Sequence, residues 1–94
     1  MTNSCVEQEF TVRSELGLHA RPAGLFVRTA EGFTCEIVVG HGDEWVDGQS
    51  ILSLLSLAAK RGTVLRVRAT GVDAEEAVEV LGRLLEKTDT TTAC

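Results

Sequence analysis

The chain has 94 residues, 44% of them hydrophobic, and a formal net charge of −5 at pH 7. This length predicts one small domain, and the hydrophobic content is sufficient for a compact core. The acidic balance argues against nucleic acid as a partner, and the absence of a long apolar run or a basic leader predicts a cytoplasmic protein without membrane contact.

The first half of the chain alternates between strand and helix patterns. Residues 6–13 carry apolar side chains at alternate positions, which predicts a half-buried strand. Residues 20–31 change to helical spacing. The predicted buried stripe of that helix consists of Ala23, Phe26, Val27 and Ala30. Alternation returns over residues 33–39 and again over residues 44–46, which predicts two more strands joined by a turn.

In the second half, Ser50 is a natural N-cap for a helix over about residues 51–59. The apolar stripe predicted for this helix contains Ile51, Leu54, Leu57 and Ala58. Residues 63–70 form a fourth strand pattern, and a last helix begins at Asp73.

The resulting order, β-α-β-β-α-β-α, predicts an α+β fold. Because each strand is apolar on one face only, we expect a two-layer open-faced sandwich, a four-stranded antiparallel sheet with three helices on one face. Residues 1–94 are expected to form a single domain with an ordered core over about residues 6–86 and a polar C-terminal tail.

The three cysteines, Cys5, Cys35 and Cys94, match neither a disulfide framework nor a zinc pattern. We expect free thiols, with Cys35 in the core and the other two exposed. His41 is the only histidine besides His19, and no cysteine or carboxylate has ligand spacing to His19. The sequence therefore predicts no metal site and no cofactor.

The strongest candidate for chemistry is His19, which lies where the first strand pattern gives way to a helix. A helix beginning near Ala20 offers the backbone N–H groups of Ala20 and Arg21, together with the helix dipole, to an anion. The Arg21 side chain adds a planar set of donors suited to phosphate, and Pro22 costs no helical hydrogen bond in the first turn. A neutral imidazole is also a competent nucleophile near neutral pH. The same spacing fits a solvent-exposed histidine in a loop, and the residues alone leave both interpretations open.

Two longer motifs resemble the HPr family of phosphocarriers in the phosphoenolpyruvate-dependent phosphotransferase system. Residues 17–23, GLHARPA, resemble the active-site signature of that family, and residues 48–55, GQSILSLL, resemble its second conserved segment. Residues 69–77 resemble the end of its fourth strand and its last helix, and the similarity extends over roughly residues 6–86. The family fold has the element order predicted above.

The resemblance implies that His19 accepts a phosphoryl group from enzyme I through Nδ1 and passes it to a histidine of an IIA-type protein in sugar transport. Arg21 would stabilise the phosphoryl group. Such a protein is a phosphoryl carrier rather than a stand-alone enzyme, and it is expected to be a monomer.

The resemblance also implies a docking surface on the first two helices. The candidate docking residues are Leu25, Arg28, Ile51, Leu52 and Leu55. An exposed apolar patch near the reactive histidine would suit brief binding of several partners. For Leu52 and Leu55 a broader buried helix face is the alternative, and for Arg28 it is an ordinary solvated charge.

Ser50 matches the serine that a regulatory kinase phosphorylates in many members of the family. Gln49 departs from the basic residue often found before that serine, and Ser53 and Ser56 are further departures. Leu16 resembles the nitrogen-related branch, in which the relay regulates rather than transports. The sequence therefore leaves open a regulatory phosphorelay, or a binding module controlled by phosphorylation at His19 or Ser50.

Overall fold

A computed structural model describes residues 4–86 of the chain. Its elements are β1 (Ser4–Thr11), α1 (Ala20–Ala30), β2 (Cys35–His41), β3 (Glu44–Asp47), α2 (Ile51–Ser56), β4 (Val64–Gly71) and α3 (Ala74–Glu86). The predicted order of strands and helices is confirmed. The predicted polar tail and Cys94 lie outside the described residues.

The strands form one sheet in the order β1-β4-β2-β3, and every neighbouring pair is antiparallel. Phe10 of β1 lies opposite Leu65 of β4, and Val67 of β4 lies opposite Val39 of β2. These pairs place the apolar positions of neighbouring strands on the same face. The predicted α+β open-faced sandwich is therefore confirmed.

The core lies between the apolar face of the sheet and the helices. The predicted stripe of α1 is confirmed, since Ala23, Phe26, Val27 and Ala30 are all buried. Leu65, Val67 and Ala69 of β4 are fully buried beneath the helices. The mostly aliphatic core follows from a sequence that contains few aromatic residues.

The second helix is shorter than predicted, because α2 ends at Ser56 and not near residue 59. The N–H groups of Leu57 and Ala58 donate to the carbonyls of Leu54 and Leu55, after which Ala58 adopts a positive φ of 50°. Leu54 and Leu57 are buried as expected. The prediction that Ile51 and Ala58 belong to the same buried stripe was wrong, since both are exposed. Ala58 lies beyond the helix, where helical spacing no longer applies.

Among residues 4–86, no helix covers the other face of the sheet, which carries a polar cluster. The guanidinium groups of Arg66 and Arg68 lie 4.5 and 4.2 Å from the ring centroid of Trp45. Arg68 also pairs with Glu7 of β1 at 2.9 Å.

Across residues 4–86, no helix has the length and apolar character required to cross a membrane.

The two cysteines of this range differ in environment. Cys5 is exposed, as expected, whereas Cys35 is half-buried and packs against the edge of the core. Burial, assisted by a hydrogen bond with Asp73 and by its charge, raises the pKa of the Cys35 thiol from 9.0 to about 11. Cys35 therefore remains a neutral thiol at physiological pH.

Candidate functional site

The segment between β1 and α1 forms a tight turn that ends at His19. The N–H of Gly17 donates to the carbonyl of Ser14 at 2.9 Å, and the N–H of His19 donates to the carbonyl of Gly17 at 3.0 Å. The N–H of Leu18 donates to the carbonyl of Ala59, also at 2.9 Å. The turn is thus held both by its own backbone and by the chain that follows α2.

Gly17 allows this close contact. Its φ is +74°, and a Cβ placed on it would lie 2.4 Å from the carbonyl oxygen of Ala59. Only glycine adopts this backbone without strain, and only a residue without a side chain fits against Ala59. The glycine of the predicted motif therefore has a structural reason, which the sequence alone did not reveal.

His19 is the N-cap residue of α1, with an extended backbone at φ −101° and ψ −173°. Its carbonyl accepts the first helical hydrogen bond, from Ala23 at 3.0 Å, but its side chain makes no capping hydrogen bond. The residue is half-buried and its Nε2 atom is shielded from solvent. The His19 side chain therefore does not accept a hydrogen bond from the N-terminal N–H groups of α1.

The first turn of α1 is suited to an anion. By helix geometry, the N–H groups of Ala20 and Arg21 have no acceptor within the helix. No acidic residue occupies this turn, and the Arg21 side chain is exposed beside it. Pro22, which has no N–H, occupies a position where no helical hydrogen bond is lost. Two backbone donors, a guanidinium and an imidazole thus come from three consecutive residues.

Ser50 forms a different helix start. Its Oγ accepts a hydrogen bond from the N–H of Ser53 at 3.2 Å, which confirms the predicted N-cap. The preceding residue, Gln49, donates from its side chain to the carbonyl of Ala30 at 3.4 Å and so connects this loop to the end of α1. Ser50 itself is half-buried.

The apolar residues of the two helices divide into two groups. Leu52 is 80% exposed, and Leu25 and Ile51 are also exposed. Leu55 is half-buried and packs against the core, whereas Arg28 is exposed in the last turn of α1.

Leu16, 74% exposed in the turn just before Gly17, is a further apolar surface residue beside the candidate nucleophile. Sequence reasoning did not assign it to the docking surface. The sequence signal that could have indicated an exposed Leu16 is its position between Glu15 and Gly17 in a turn. His41 lies at the end of β2 opposite Glu44, in the β2–β3 hairpin rather than in the His19 turn.

Comparison with known proteins places this geometry in context. The family model described as "PTS HPr component phosphorylation site" matches residues 6–87. Phosphocarrier protein HPr of Neisseria meningitidis is 39% identical over 80 residues, which cover 85% of this chain and 90% of that protein. The crystal structure of a phosphocarrier protein HPr from Bacillus anthracis superposes with a TM-score of 0.84 at 35% identity, covering 88% of this chain and 99% of that one.

The chain also matches part of a longer protein. The multiphosphoryl transfer protein of Salmonella typhimurium is 39% identical over 85 residues, which cover 87% of this chain. The matched region spans only 23% of that relative. The similarity therefore concerns one region of the longer protein.

Proposed function

This chain belongs to the HPr family of the phosphotransferase system, and from that premise we propose that His19 is the residue that carries the phosphoryl group. The function is that of a phosphocarrier. The observation that carries the assignment of His19 is its position at the start of α1, where its own side chain does not cap the helix.

The proposed reaction transfers a phosphoryl group between nitrogen atoms. The lone pair of His19 Nδ1 attacks the phosphorus carried by phospho-enzyme I, a new N–P bond forms, and the bond to the donor breaks. A histidine of an IIA-type protein then attacks the same phosphorus and restores the His19 imidazole. Burial of Nε2 supports Nδ1 as the nitrogen that exchanges phosphate. The N–H groups of Ala20 and Arg21 and the Arg21 guanidinium stabilise the charge.

The decisive experiment compares the two histidines of the chain. Incubation with enzyme I and labelled phosphoenolpyruvate should give acid-labile, alkali-stable label on the wild-type protein and on the His41→Ala variant. The His19→Ala variant should remain unlabelled. Full labelling of His19→Ala, or loss of label in His41→Ala alone, would overturn the assignment. Offering IIA proteins of the sugar and nitrogen branches then identifies the acceptor, which we propose belongs to sugar transport.

We propose that enzyme I and IIA-type proteins dock on the exposed apolar residues of α1 and α2. Leu25, Ile51 and Leu52 supply the apolar area, Leu55 supports it from below, and Arg28 meets acidic partner groups. Leu52→Ser should raise the KM for phosphorylation by enzyme I with little change in stability, because the side chain is 80% exposed. Val72→Ser, at a residue 76% exposed in the β4–α3 turn, is the matched control. Equal KM values for the two variants would contradict the proposal. Gel filtration tests the accompanying proposal that the carrier acts as a monomer.

Ser50 is the proposed regulatory site for a serine kinase. A phosphate there would add about two negative charges at a helix start beside the exposed Leu52. Ser50→Asp should therefore slow phosphorylation of His19 by enzyme I, whereas Thr70→Asp adds the same charge on the open face of the sheet and should not. Phosphorylation of Ser50→Asp at the wild-type rate would refute this regulation.

A further inference from the structure

Ala58 has an unusual backbone for a residue with a side chain. Within the described range 4–86 it is the only non-glycine residue at positive φ, with a value of 50°. This left-handed region brings Cβ close to the following carbonyl in L-residues, so Ala58 is held there against its local preference. Its side chain is exposed. Packing of the Ala58 methyl group therefore does not explain the conformation.

The next residue explains where this backbone leads. Ala59 is buried, and its carbonyl accepts the hydrogen bond from Leu18, directly before His19. The same carbonyl lies against Gly17, where any Cβ would overlap with it. Because Ala58 sets the direction of the chain leaving α2, it determines where the Ala59 carbonyl meets the His19 turn.

We propose that Ala58 is a positioning residue for the phosphoryl transfer at His19. Its left-handed backbone directs the Ala59 carbonyl at the Leu18 N–H, and this contact holds the turn that places His19 at the start of α1. The inference rests on the proposed function for its effect on transfer, but its structural part can be measured without any phosphate.

The competing explanation is that Ala58 only terminates α2. Substitutions would then lower the free energy of unfolding and leave the His19 turn unaffected in the folded protein. A positioning role differs because it changes the Leu18 hydrogen bond and the surroundings of the His19 ring while the rest of the fold is intact. The two explanations therefore differ in local, not global, measurements.

The experiment uses a series at position 58 ordered by tolerance of positive φ. Ala58→Gly and Ala58→Asn accept this backbone, whereas Ala58→Val disfavours it strongly. Gly42→Ala is the control, because Gly42 has φ +63° with nothing within 4 Å of an added Cβ and lies in the β2–β3 turn. It introduces comparable left-handed strain away from the His19 turn. Should Ala58→Val fail to fold, Ala58→Leu, whose side chain is not branched at Cβ, takes its place.

Three quantities are measured: hydrogen exchange of the Leu18 amide relative to core amides, the NMR chemical shifts of the His19 ring at fixed pH, and the rate of labelling by enzyme I. Ala58→Val should accelerate Leu18 exchange about tenfold beyond the core amides, change the chemical shifts of the His19 ring and slow labelling, since local opening exposes that amide. Ala58→Gly and Ala58→Asn should remain within about twofold of wild type, as glycine and asparagine tolerate the conformation.

Wild-type Leu18 exchange and wild-type His19 ring chemical shifts in Ala58→Val, or the same local changes in Gly42→Ala, would overturn the inference. Failure of the proposed function looks different, since wild-type protein would then carry no label on His19 while the two NMR measurements still report on the turn.

Discussion

The starts of α1 and α2 differ in whether the N-cap side chain accepts a hydrogen bond from the first backbone N–H groups. At α1 the N-cap residue is His19, whose side chain makes no capping hydrogen bond. At α2 the N-cap residue is Ser50, whose Oγ accepts from the N–H of Ser53 at 3.2 Å. Both helices begin with backbone N–H groups that lack helical acceptors. The Ser50 hydroxyl thus caps the start of α2, whereas the side chain at the N-cap position of α1 does not cap that helix.

The difference extends to the surrounding backbone. Ser50 is itself extended, with φ −127° and ψ 118°, and it follows Gly48, where an added Cβ would lie 2.7 Å from Cγ2 of Ile37. The approach to His19 needs Gly17 at positive φ and contact with Ala59, which itself follows the left-handed Ala58. Both helix starts therefore follow a closely packed glycine, but only the glycine before His19 lies at positive φ.

The largest expected effect comes from breaking that turn with Gly17→Ala. An alanine at positive φ costs about 1–2 kcal/mol, and forcing its Cβ against Ala59 should add about 1–3 kcal/mol. We expect a loss of about 2–5 kcal/mol in the free energy of unfolding, measured by urea denaturation. Gly42→Ala, with open space around its Cβ, should lose only the first contribution. Equal losses would show that the Ala59 contact does not matter.

Removing the guanidinium beside His19 is expected to act on rate rather than stability. Arg21→Ala should slow phosphorylation of His19 about tenfold to a hundredfold, because a hydrogen bond to a charged group contributes about 1.5–3 kcal/mol. Arg21→Lys should recover only part of the rate, because an ammonium lacks the planar arrangement of donors. Arg61→Ala, another exposed arginine, is the control in the same labelling assay. A wild-type rate for Arg21→Ala would remove this residue from the site.

Exchanging the caps tests the comparison itself. Ser50→Ala should lose about 1 kcal/mol of stability, because an N–H at the start of α2 loses its acceptor. Conversely, His19→Ser should be more stable than His19→Ala by about 0.5–1 kcal/mol, since a serine can cap α1, although neither variant can form phosphohistidine. Thermal unfolding of the four proteins measures both differences. Equal stability of the two His19 variants would mean that the α1 donors are not available for capping.

The smallest expected effect concerns the start of α3. The carboxylate of Asp73 accepts from the N–H of Thr34 at 2.8 Å, and burial with Asp73 raises the pKa of Cys35 from 9.0 to about 11. The folded protein therefore holds this proton more tightly than the unfolded chain. The resulting stabilisation is complete below pH 9 and is lost as the pH rises towards 11.

Between about pH 8 and about pH 10, the midpoint of urea denaturation should consequently fall further in the wild type than in Cys35→Ser, which has no thiol to titrate. Identical falls would indicate that Cys35 titrates alike in the folded and unfolded states. The start of α3 then differs from the starts of α1 and α2, because the Asp73 side chain connects α3 to the loop before β2.

Most of the fold could be predicted from local patterns. The period of two in residues 63–70 and the stripe Ala23, Phe26, Val27 and Ala30 specified both the elements and their buried faces. The prediction failed at the end of α2. Apolar residues at helical spacing continue to Ala58, but the helix ends at Ser56. Periodicity identifies which face of a helix could be buried. It does not report that the carbonyl of Ala59, beyond the helix, is required to accept a hydrogen bond from Leu18.

The sequence by itself determined the family motif, the helix starts at His19 and Ser50 and the alternation that builds the sheet, because these depend on neighbouring residues. The tertiary structure decided which leucines remain exposed, why Gly17 must be a glycine and how Ala59 holds the His19 turn. Those features depend on contacts between residues about 40 positions apart, such as Leu18 and Ala59. Local pattern carries no information about such contacts, since only the folded chain brings the two segments together.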